Sequence, residues 1–218
     1  QSGGSGQFGE VHITIEPYFD NMPEPQGVNI RNKEIEELPW GGKFAFYWCI
    51  VGGAIDNRYA TAIKKGIMHE MTEGPLTGSN CQNIRVCIYD GKMHAVDSND
   101  ISFQLAASHA FRMAFNEAKP QLLEPYYHLE VLCEDNHTGD VMGDLQTRRA
   151  IIQGMDTDGH YQKIIAEVPL AELKDYGSSL RSLTQGKAKF KLEFSNYQLV
   201  PPHIQENLVI SNASLSEV

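Results

Sequence analysis

The order of strand and helix patterns in the second half of the sequence constrains the fold more than any other feature. Apolar residues alternate with polar ones in four segments, as in half-buried strands, and recur at spacings of three and four in two others, as in helices. The predicted strands are residues 127–133, 150–155, 162–168 and 187–194, and the predicted helices are residues 138–149 and 170–183. Asp156-Thr157-Asp158-Gly159 is typical of a hairpin turn between the second and third strands. The order β-α-β-β-α-β predicts a ferredoxin-like domain over residues 122–202.

The lysines of the last predicted strand have two interpretations. Lys187, Lys189 and Lys191 share one face of that strand, and apolar residues occupy the other. Either the lysines form a ridge that faces phosphate groups, or they protect an edge strand from pairing with another chain. The pattern alone leaves both interpretations open.

The first half of the sequence predicts a separate domain over residues 1–121, because Pro120 and Pro125 interrupt the pattern between the halves. Its predicted strands are residues 11–15, 44–51 and 81–89, and its predicted helices are residues 59–71 and 98–118. Residues 20–43 are polar and interrupted by prolines, so we expect a long, mobile loop or insertion there. A short helix is expected at about residues 203–212. The chain is therefore expected to be an α+β protein with two domains.

A short polar loop joins the last predicted strand of the first domain to its second helix. The loop is Gly91-Lys92-Met93-His94-Ala95-Val96-Asp97-Ser98-Asn99-Asp100. Asp97 or Ser98 is the expected N-cap of the helix. A loop held by regular structure on both sides is a suitable place for a contact residue, and His94 is the candidate. The alternative is an ordinary strand-to-helix connection with a solvated histidine.

Glycines near the start of the chain form a second candidate loop. Gly4-Ser5-Gly6-Gln7-Phe8-Gly9 matches the spacing G-x-G-x-x-G. The context argues against a dinucleotide site, since that motif follows a strand and opens a helix, whereas here a strand follows. We interpret the glycines as a loop that needs close backbone approach or positive φ. Gln7 is its one long hydrogen-bonding side chain.

Composition and motifs exclude several classes of function. The formal net charge of −10 argues against nonspecific nucleic-acid binding, so any contact with RNA must be local and depend on shape. No run approaches the roughly 20 apolar residues of a membrane helix. The four cysteines lack paired spacing and predict buried free thiols, and the scattered histidines predict no metal site.

Nucleotide chemistry also has no support in the motifs. Gly41-Gly42-Lys43 is followed by Phe44 rather than Ser or Thr, so there is no phosphate-binding loop, and no nucleophile–base arrangement is apparent. The opening on Gln1, without a signal-peptide pattern, leads us to expect a piece of a longer protein.

An ordered series of motifs gives the sequence a specific resemblance. The series is Gln1-Ser2-Gly3-Gly4-Ser5-Gly6-Gln7-Phe8-Gly9, Ile50-Val51-Gly52-Gly53-Ala54-Ile55, Gly74-Pro75-Leu76, His94-Ala95-Val96-Asp97-Ser98, Leu122-Leu123-Glu124-Pro125, Gly139-Asp140-Val141-Met142-Gly143-Asp144-Leu145 and Tyr176-Gly177-Ser178-Ser179-Leu180-Arg181-Ser182-Leu183-Thr184-Gln185-Gly186. In this order the motifs resemble the fourth and fifth domains of bacterial translation elongation factor G. The resemblance covers nearly the whole chain except about residues 21–43 and the last few residues.

The resemblance implies a fold and a place of action for each domain. The first domain would have the β-α-β sandwich-like fold of the ribosomal protein S5 domain 2-like type, with the C-terminal helix packed back on it. Its tip would reach the decoding region of the small ribosomal subunit and follow the tRNA–mRNA duplex. The second domain would lie near the stalk base of the large subunit. The predicted contacts with the ribosome or RNA are Gly6, Gln7, Phe8, Lys92, His94, Asp97, Ser98, Arg148, Arg149 and Arg181.

The resemblance also implies what the chain does not do by itself. It predicts no catalytic residue, cofactor or metal in this chain, and GTP and magnesium in the N-terminal GTPase domains of the full-length parent. The expected partners are rRNA, tRNA–mRNA and those domains, and the expected state is a cytoplasmic monomer. For Arg148, Arg149 and Arg181 the alternative is helix capping and solubility.

Departures from the family pattern indicate a divergent paralogue. Family tips often carry a basic residue where Ser5 stands, and residues 21–43 are acidic and longer than the usual linker. Two other classes remain as alternatives. One is a ribosome-protection or recycling GTPase, whose tips often replace the glycine loop and the histidine. The other is a protein-interaction module that binds a basic partner through its acidic surface.

Overall fold

The chain divides into two compact units, each built around one four-stranded sheet. They are seen in a computed structural model that describes residues 6–215. The first unit runs to Pro120 and resumes at Leu208, and the second unit is Gln121–Asn207. Gly4 and Ser5, which belong to the predicted glycine loop, lie outside the described residues.

The first unit has the β-α-β connection that the sequence predicts. Its elements are β1 (Glu10–Pro17), β2 (Asn32–Glu37), β3 (Lys43–Trp48), α1 (Ala60–Glu73), β4 (Ile84–Lys92) and α2 (Asp100–Glu117). The sheet order is β1-β4-β3-β2, with β3 and β4 parallel and the other neighbours antiparallel. Helix α1 connects the two parallel strands, as such a pair requires.

One face of this sheet packs against both helices in the main core of the unit. Phe44 and Phe46 of β3 meet Ile63 and Ile67 of α1 there, together with Phe103 of α2. Burial of each such side chain contributes about 1.5–3 kcal/mol. The two helices approach closely at Gly66 of α1. A Cβ added to this glycine would lie 2.2 Å from the backbone carbonyl oxygen of Gln104 on α2. The glycine at this position therefore allows the short distance between the two helices.

The prediction of a long loop over residues 20–43 is wrong in part, since β2 lies within it. The segment lacks the apolar alternation of a strand because β2 is an edge strand, and Glu34 and Glu36 both accept hydrogen bonds from Lys64 of α1, at 2.8 and 3.1 Å. Tyr18 and Val28, which flank the first part of the segment, pack against a smaller cluster around Tyr47 and Cys87, separate from the main core.

The second unit has the predicted ferredoxin-like order. Its elements are β5 (Leu123–Glu134), α3 (Thr138–Thr147), β6 (Ile151–Asp158), β7 (Tyr161–Pro169), α4 (Tyr176–Leu183) and β8 (Lys189–Leu199), and α5 (Pro202–Leu215) follows. The sheet order is β6-β7-β5-β8 with every neighbouring pair antiparallel. The helix predicted at 170–183 is divided: a short 3-10 turn covers Leu170–Leu173, and Asp175 has a left-handed φ of 59° before α4 begins. The predicted packing of the C-terminal helix on the first unit stays a prediction.

The position of β8 favours one interpretation of its lysines. β8 is an edge strand of the sheet. Lys191 lies 2.6 Å from Glu193, and Lys187, two residues before β8 begins, lies 3.2 Å from Glu134. Lysines paired with carboxylates of their own unit on an edge strand fit protection against edge pairing better than a ridge for phosphate.

The two arginines after α3 are held inside the second unit. Arg148 donates to Asp144 at 2.8 Å and to the Glu172 carbonyl at 2.7 Å. Arg149 has a left-handed φ of 56° and donates to Glu124 at 2.7 and 2.9 Å and to Glu172 at 2.8 Å. The Glu124 hydrogen bond raises the pKa of Arg149 above its usual range. These partners favour a structural role over the predicted contact with rRNA.

Replacing Arg149 by Gly tests this structural role. Gly suits a φ of 56°, so the substitution removes the ion pairs without adding backbone strain. Because the Glu124 carboxylate is 10% exposed and loses its cation, we expect the free energy of unfolding to fall by about 3 kcal/mol in a urea titration. Arg181→Ala, at an exposed position on α4, is the control and should change it by less than about 0.5 kcal/mol. Equal effects of the two substitutions would contradict the structural role.

The prediction of buried free thiols is confirmed for all four cysteines. Burial raises the pKa of Cys81 to about 12 and that of Cys49 to about 11. At pH 8 only about one Cys49 thiol in a thousand is then a thiolate. We expect a chromogenic disulfide reagent to modify the thiols over hours in the native chain and within a minute in urea. Fast labelling of any cysteine in the native chain would show that the segment around that cysteine opens.

None of the helices in the described part of the chain combines the length and the apolar character needed to cross a membrane.

Candidate nucleic-acid interface

The pairing of β1 with β4 brings the two predicted loops to the same edge of the first sheet. Glu10, at the start of β1, lies opposite Lys92, at the end of β4. The residues that precede β1 and those that follow β4 are therefore neighbours. We call residues 6–9 the glycine loop and residues 93–98 the histidine loop.

Hydrogen bonds join these loops along their length. The Phe8 amide donates to the Asp97 carbonyl at 3.0 Å, and the Ser98 hydroxyl donates to the Phe8 carbonyl at 2.9 Å. The Gly6 amide donates to the Asp97 carboxylate at 2.9 Å. The glycine loop and the histidine loop thus form one paired structure, which we call the tip.

The prediction that Asp97 or Ser98 caps α2 is wrong, and the correction explains the pairing. Asn99 is the N-cap: its side chain accepts from the Ser102 amide, and the Ser102 hydroxyl accepts from the Asn99 amide. This reciprocal capping box satisfies the first turn of the helix. Asp97 and Ser98 are consequently free to bond the glycine loop.

Two glycines are required where backbone segments come together at the tip. A Cβ added to Gly9 would lie 2.9 Å from the Ser102 carbonyl oxygen. A Cβ added to Gly91 would lie 2.2 Å from the Glu10 carbonyl oxygen and 2.5 Å from the Ile55 side chain. Such contacts are too close for any residue except glycine, which explains why the loop needs glycine in the absence of a nucleotide site.

One side of His94 contacts the histidine loop, and the other side is exposed to solvent. Its amide donates to the Ser98 hydroxyl at 2.8 Å, and its Nδ1 lies 3.0 Å from the Asp97 carboxylate. The imidazole meets the Phe8 ring edge to face at a centroid distance of 6.5 Å. The side chain is 58% exposed. Because Nδ1 faces Asp97, Nε2 is the ring nitrogen available to a ligand.

Apolar side chains add to the exposed surface of the tip. Phe8 is 39% exposed, Met93 is 43% exposed and Val96 is 75% exposed. Lys92 is its exposed cation from β4, and it lies 3.4 Å from Glu10. Hydrogen bonding from His12 lowers the pKa of Glu10, so this carboxylate stays charged and offsets Lys92. The tip therefore presents rings, backbone groups and little net charge.

A third loop, missed by the sequence interpretation, joins the tip. It connects β3 to α1 over residues 49–59. The Tyr59 hydroxyl donates to the Ser98 carbonyl at 3.0 Å, and Arg58 Nη2 donates to the Tyr59 hydroxyl at 2.8 Å. The signal that could have found it is the parallel pairing of β3 with β4, since the ends of parallel strands meet at one edge of the sheet.

The remaining predicted contact residues, Arg148, Arg149 and Arg181, belong to the second unit. Arg181 is exposed on α4. In the described part of the chain, no group of three His, Cys, Asp or Glu residues is arranged to hold a metal ion.

Comparison with known proteins gives the family. Residues 30–119 match the family described as "Elongation factor G, domain IV", and residues 121–208 match the one described as "Elongation factor G C-terminus". The chain belongs to the elongation factor G family and carries these two parts of it. The match from residue 30 onward includes β2, so this strand is part of the family domain and not an insertion.

Individual relatives agree along the chain. The sequence is 40% identical over 210 residues to an "Elongation factor G-like protein" of Thermotoga maritima, and 41% identical over 209 residues to "Elongation factor G" of Aquifex pyrophilus. Each match covers 96% of this chain, which spans 28% and 27% of those relatives. A crystal structure of a Thermus thermophilus protein superposes with a TM-score of 0.70 at 35% identity, over 93% of this chain and 31% of that one.

Replacing Ser98 by Ala tests the pairing of the loops. The Ser98 hydroxyl accepts from the His94 amide and donates to the Phe8 carbonyl, so its loss frees the histidine loop. We expect hydrogen exchange of the His94 amide to quicken by about tenfold, the equivalent of one hydrogen bond. Ser108→Ala, which removes a hydroxyl bonded to the Gly66 carbonyl, is the control and should leave that amide unchanged. Unaltered exchange in Ser98→Ala would mean that the loops hold their shape independently.

Proposed function

We propose that this chain is the tip-bearing and C-terminal part of a ribosomal translocation GTPase. In this proposal the tip contacts the small-subunit decoding region and the tRNA–mRNA duplex, and the second unit contacts the large subunit near its stalk base. The chain itself performs no chemistry. GTP, magnesium and the N-terminal GTPase domains belong to the whole protein.

The observation that carries the proposal is the pairing of the glycine loop with the histidine loop at one edge of the first sheet. Hydrogen bonds between the two loops hold Gly6 and Phe8 against Asp97 and Ser98. The His94 side chain remains 58% exposed beside the Phe8 ring. A rigid tip on a sheet edge can transmit a displacement of the domain to whatever it touches. That property suits a lever rather than a catalyst.

The chemistry of the tip fits recognition of RNA by shape. His94 Nε2 and the exposed Gln7 can bond a phosphate, a ribose hydroxyl or a base edge, and the Phe8 and His94 rings can stack on an unpaired base. The glycines bring backbone amides close to the ligand. None of these groups requires a particular base, which is appropriate for a factor that meets every tRNA.

The negative net charge of the chain limits what the tip contributes to affinity. With a net charge of −10, the chain gains little from counterion release, which drives most binding to nucleic acid. We infer that the rest of the whole protein supplies most of the affinity and that the tip supplies position. A divergent paralogue of the housekeeping factor fits this balance.

Substitutions at the tip test the proposal in the whole protein. We expect His94→Ala with Gln7→Ala to slow single-round tRNA movement by at least about tenfold, since two contacts of about 1 kcal/mol each are lost. Cosedimentation with ribosomes should change little, because the affinity lies elsewhere. His109→Ala, an exposed histidine on α2, is the matched control and should leave both measurements unchanged.

The same assay separates the alternatives. Movement of tRNA at the unsubstituted rate in the double variant would remove the tip from the mechanism. A whole protein that splits subunits or releases a bound inhibitor, and does not move tRNA, would be a recycling or protection factor. A chain that never pellets with ribosomes in moderate salt would be an interaction module of another kind.

A further inference from the structure

The third loop of the tip is anchored as firmly as the other two. Ile55 is 2% exposed and packs over Gly91, at the end of β4. Tyr59 is 4% exposed, and its ring lies 4.5 Å from that of Phe103 on α2. The Tyr59 hydroxyl then bonds the Ser98 carbonyl of the histidine loop. The anchors on both sides of Arg58 therefore fix the place of this residue relative to His94.

The Arg58 guanidinium is positioned but largely open. It lies over the Tyr59 ring at 4.7 Å, and Nη2 donates to the Tyr59 hydroxyl at 2.8 Å. The side chain is nevertheless 67% exposed. A guanidinium has five N–H donors in a planar fork, and this is the one hydrogen bond that the described structure gives to the Arg58 side chain. Stacking on a fixed ring pre-orders the fork, so a ligand meets donors that are already oriented.

The neighbouring Asp56 carboxylate forms an ion pair with Arg58 but leaves the N–H donors of the guanidinium available. The Asp56 carboxylate is 3.8 Å from Arg58 Nε, beyond hydrogen-bond distance, and accepts instead from the Arg58 amide. Lys92, by contrast, lies 3.4 Å from Glu10, which also binds His12 at 2.9 Å. Among the two cations Arg58 and Lys92, Arg58 therefore has the side-chain donors that carboxylates of the same unit approach less closely.

We propose that Arg58 is a phosphate-binding residue of the tip, and that its ligand is a phosphodiester group of the RNA backbone. This inference rests on the proposed function, because it assigns a charged contact to the same tip. Hydrogen bonds from Arg to phosphate are charge-assisted and often bidentate, so a single fixed fork supplies both attraction and orientation. The glycine and histidine loops provide shape recognition, and the third loop adds the one strong electrostatic contact.

The salt dependence of ribosome binding by the whole protein tests the inference. A lost phosphate contact lowers the slope of log affinity against log salt by about 0.7 to 0.9. We expect that decrease in Arg58→Gln, together with slower tRNA movement. Arg58→Lys keeps the charge and loses the planar fork, so it should retain the slope while tRNA movement remains slow.

The matched control removes a cation from the opposite end of α2. Lys119 is exposed just after this helix of 18 residues, about 27 Å from its start, and has a φ of 55°. Lys119→Asn suits that φ and removes the same charge, so it should leave the slope and the rate unchanged.

Two outcomes would overturn the inference, and they are distinguishable. If Arg58→Gln behaves like Lys119→Asn while the His94 and Gln7 double variant slows tRNA movement, Arg58 binds no phosphate and the proposed function stands. If neither Arg58→Gln nor the double variant has an effect, the tip does not act on RNA and both proposals fall.

Discussion

The antiparallel pairing of β1 with β4 is the interaction on which the tip depends. Because Glu10 lies opposite Lys92, the chain enters the sheet and leaves it at the same edge, although about 80 residues separate the two points. The parallel pairing of β3 with β4 brings the third loop to that edge as well. Sheet register therefore assembles a surface from three distant parts of the sequence, and the side chains only refine it.

The tip is built mainly from neutral groups. Ser98 is an example of a residue that bonds all three loops. Its hydroxyl bonds the His94 amide and the Phe8 carbonyl, and its carbonyl accepts from the Tyr59 hydroxyl. Neutral hydrogen bonds of this kind are weakly sensitive to salt, whereas charged contacts are screened. The geometry of the tip should consequently persist over a wide range of ionic conditions, even where its contact with a charged ligand weakens.

Prediction from the sequence succeeded where periodicity and order carry the information. The β-α-β-β-α-β order, the four buried cysteines and the positions of the glycine loop and the histidine loop follow from local patterns. It failed where tertiary context overrides local preference. β2 carries glutamates that bond Lys64 across the unit, and Asn99 replaces Asp97 as the cap. The contact with RNA expected for Arg148 and Arg149 stays a prediction. Arg58 escaped notice because its relation to the tip exists only through the strand pairing.

The absence of a side chain at Gly91 has a mechanical consequence. The Glu10 carbonyl and the Ile55 methyl group both occupy the space that a Cβ would fill. The strand ends that carry the glycine loop and the histidine loop are therefore packed against each other and against the third loop, and the three loops cannot shift independently. A ligand that seats any one of the loops then restricts the others too. The conformational entropy of ordering the three loops is therefore lost once and not three times. As a result, contacts that separate loops make with the same ligand reinforce one another.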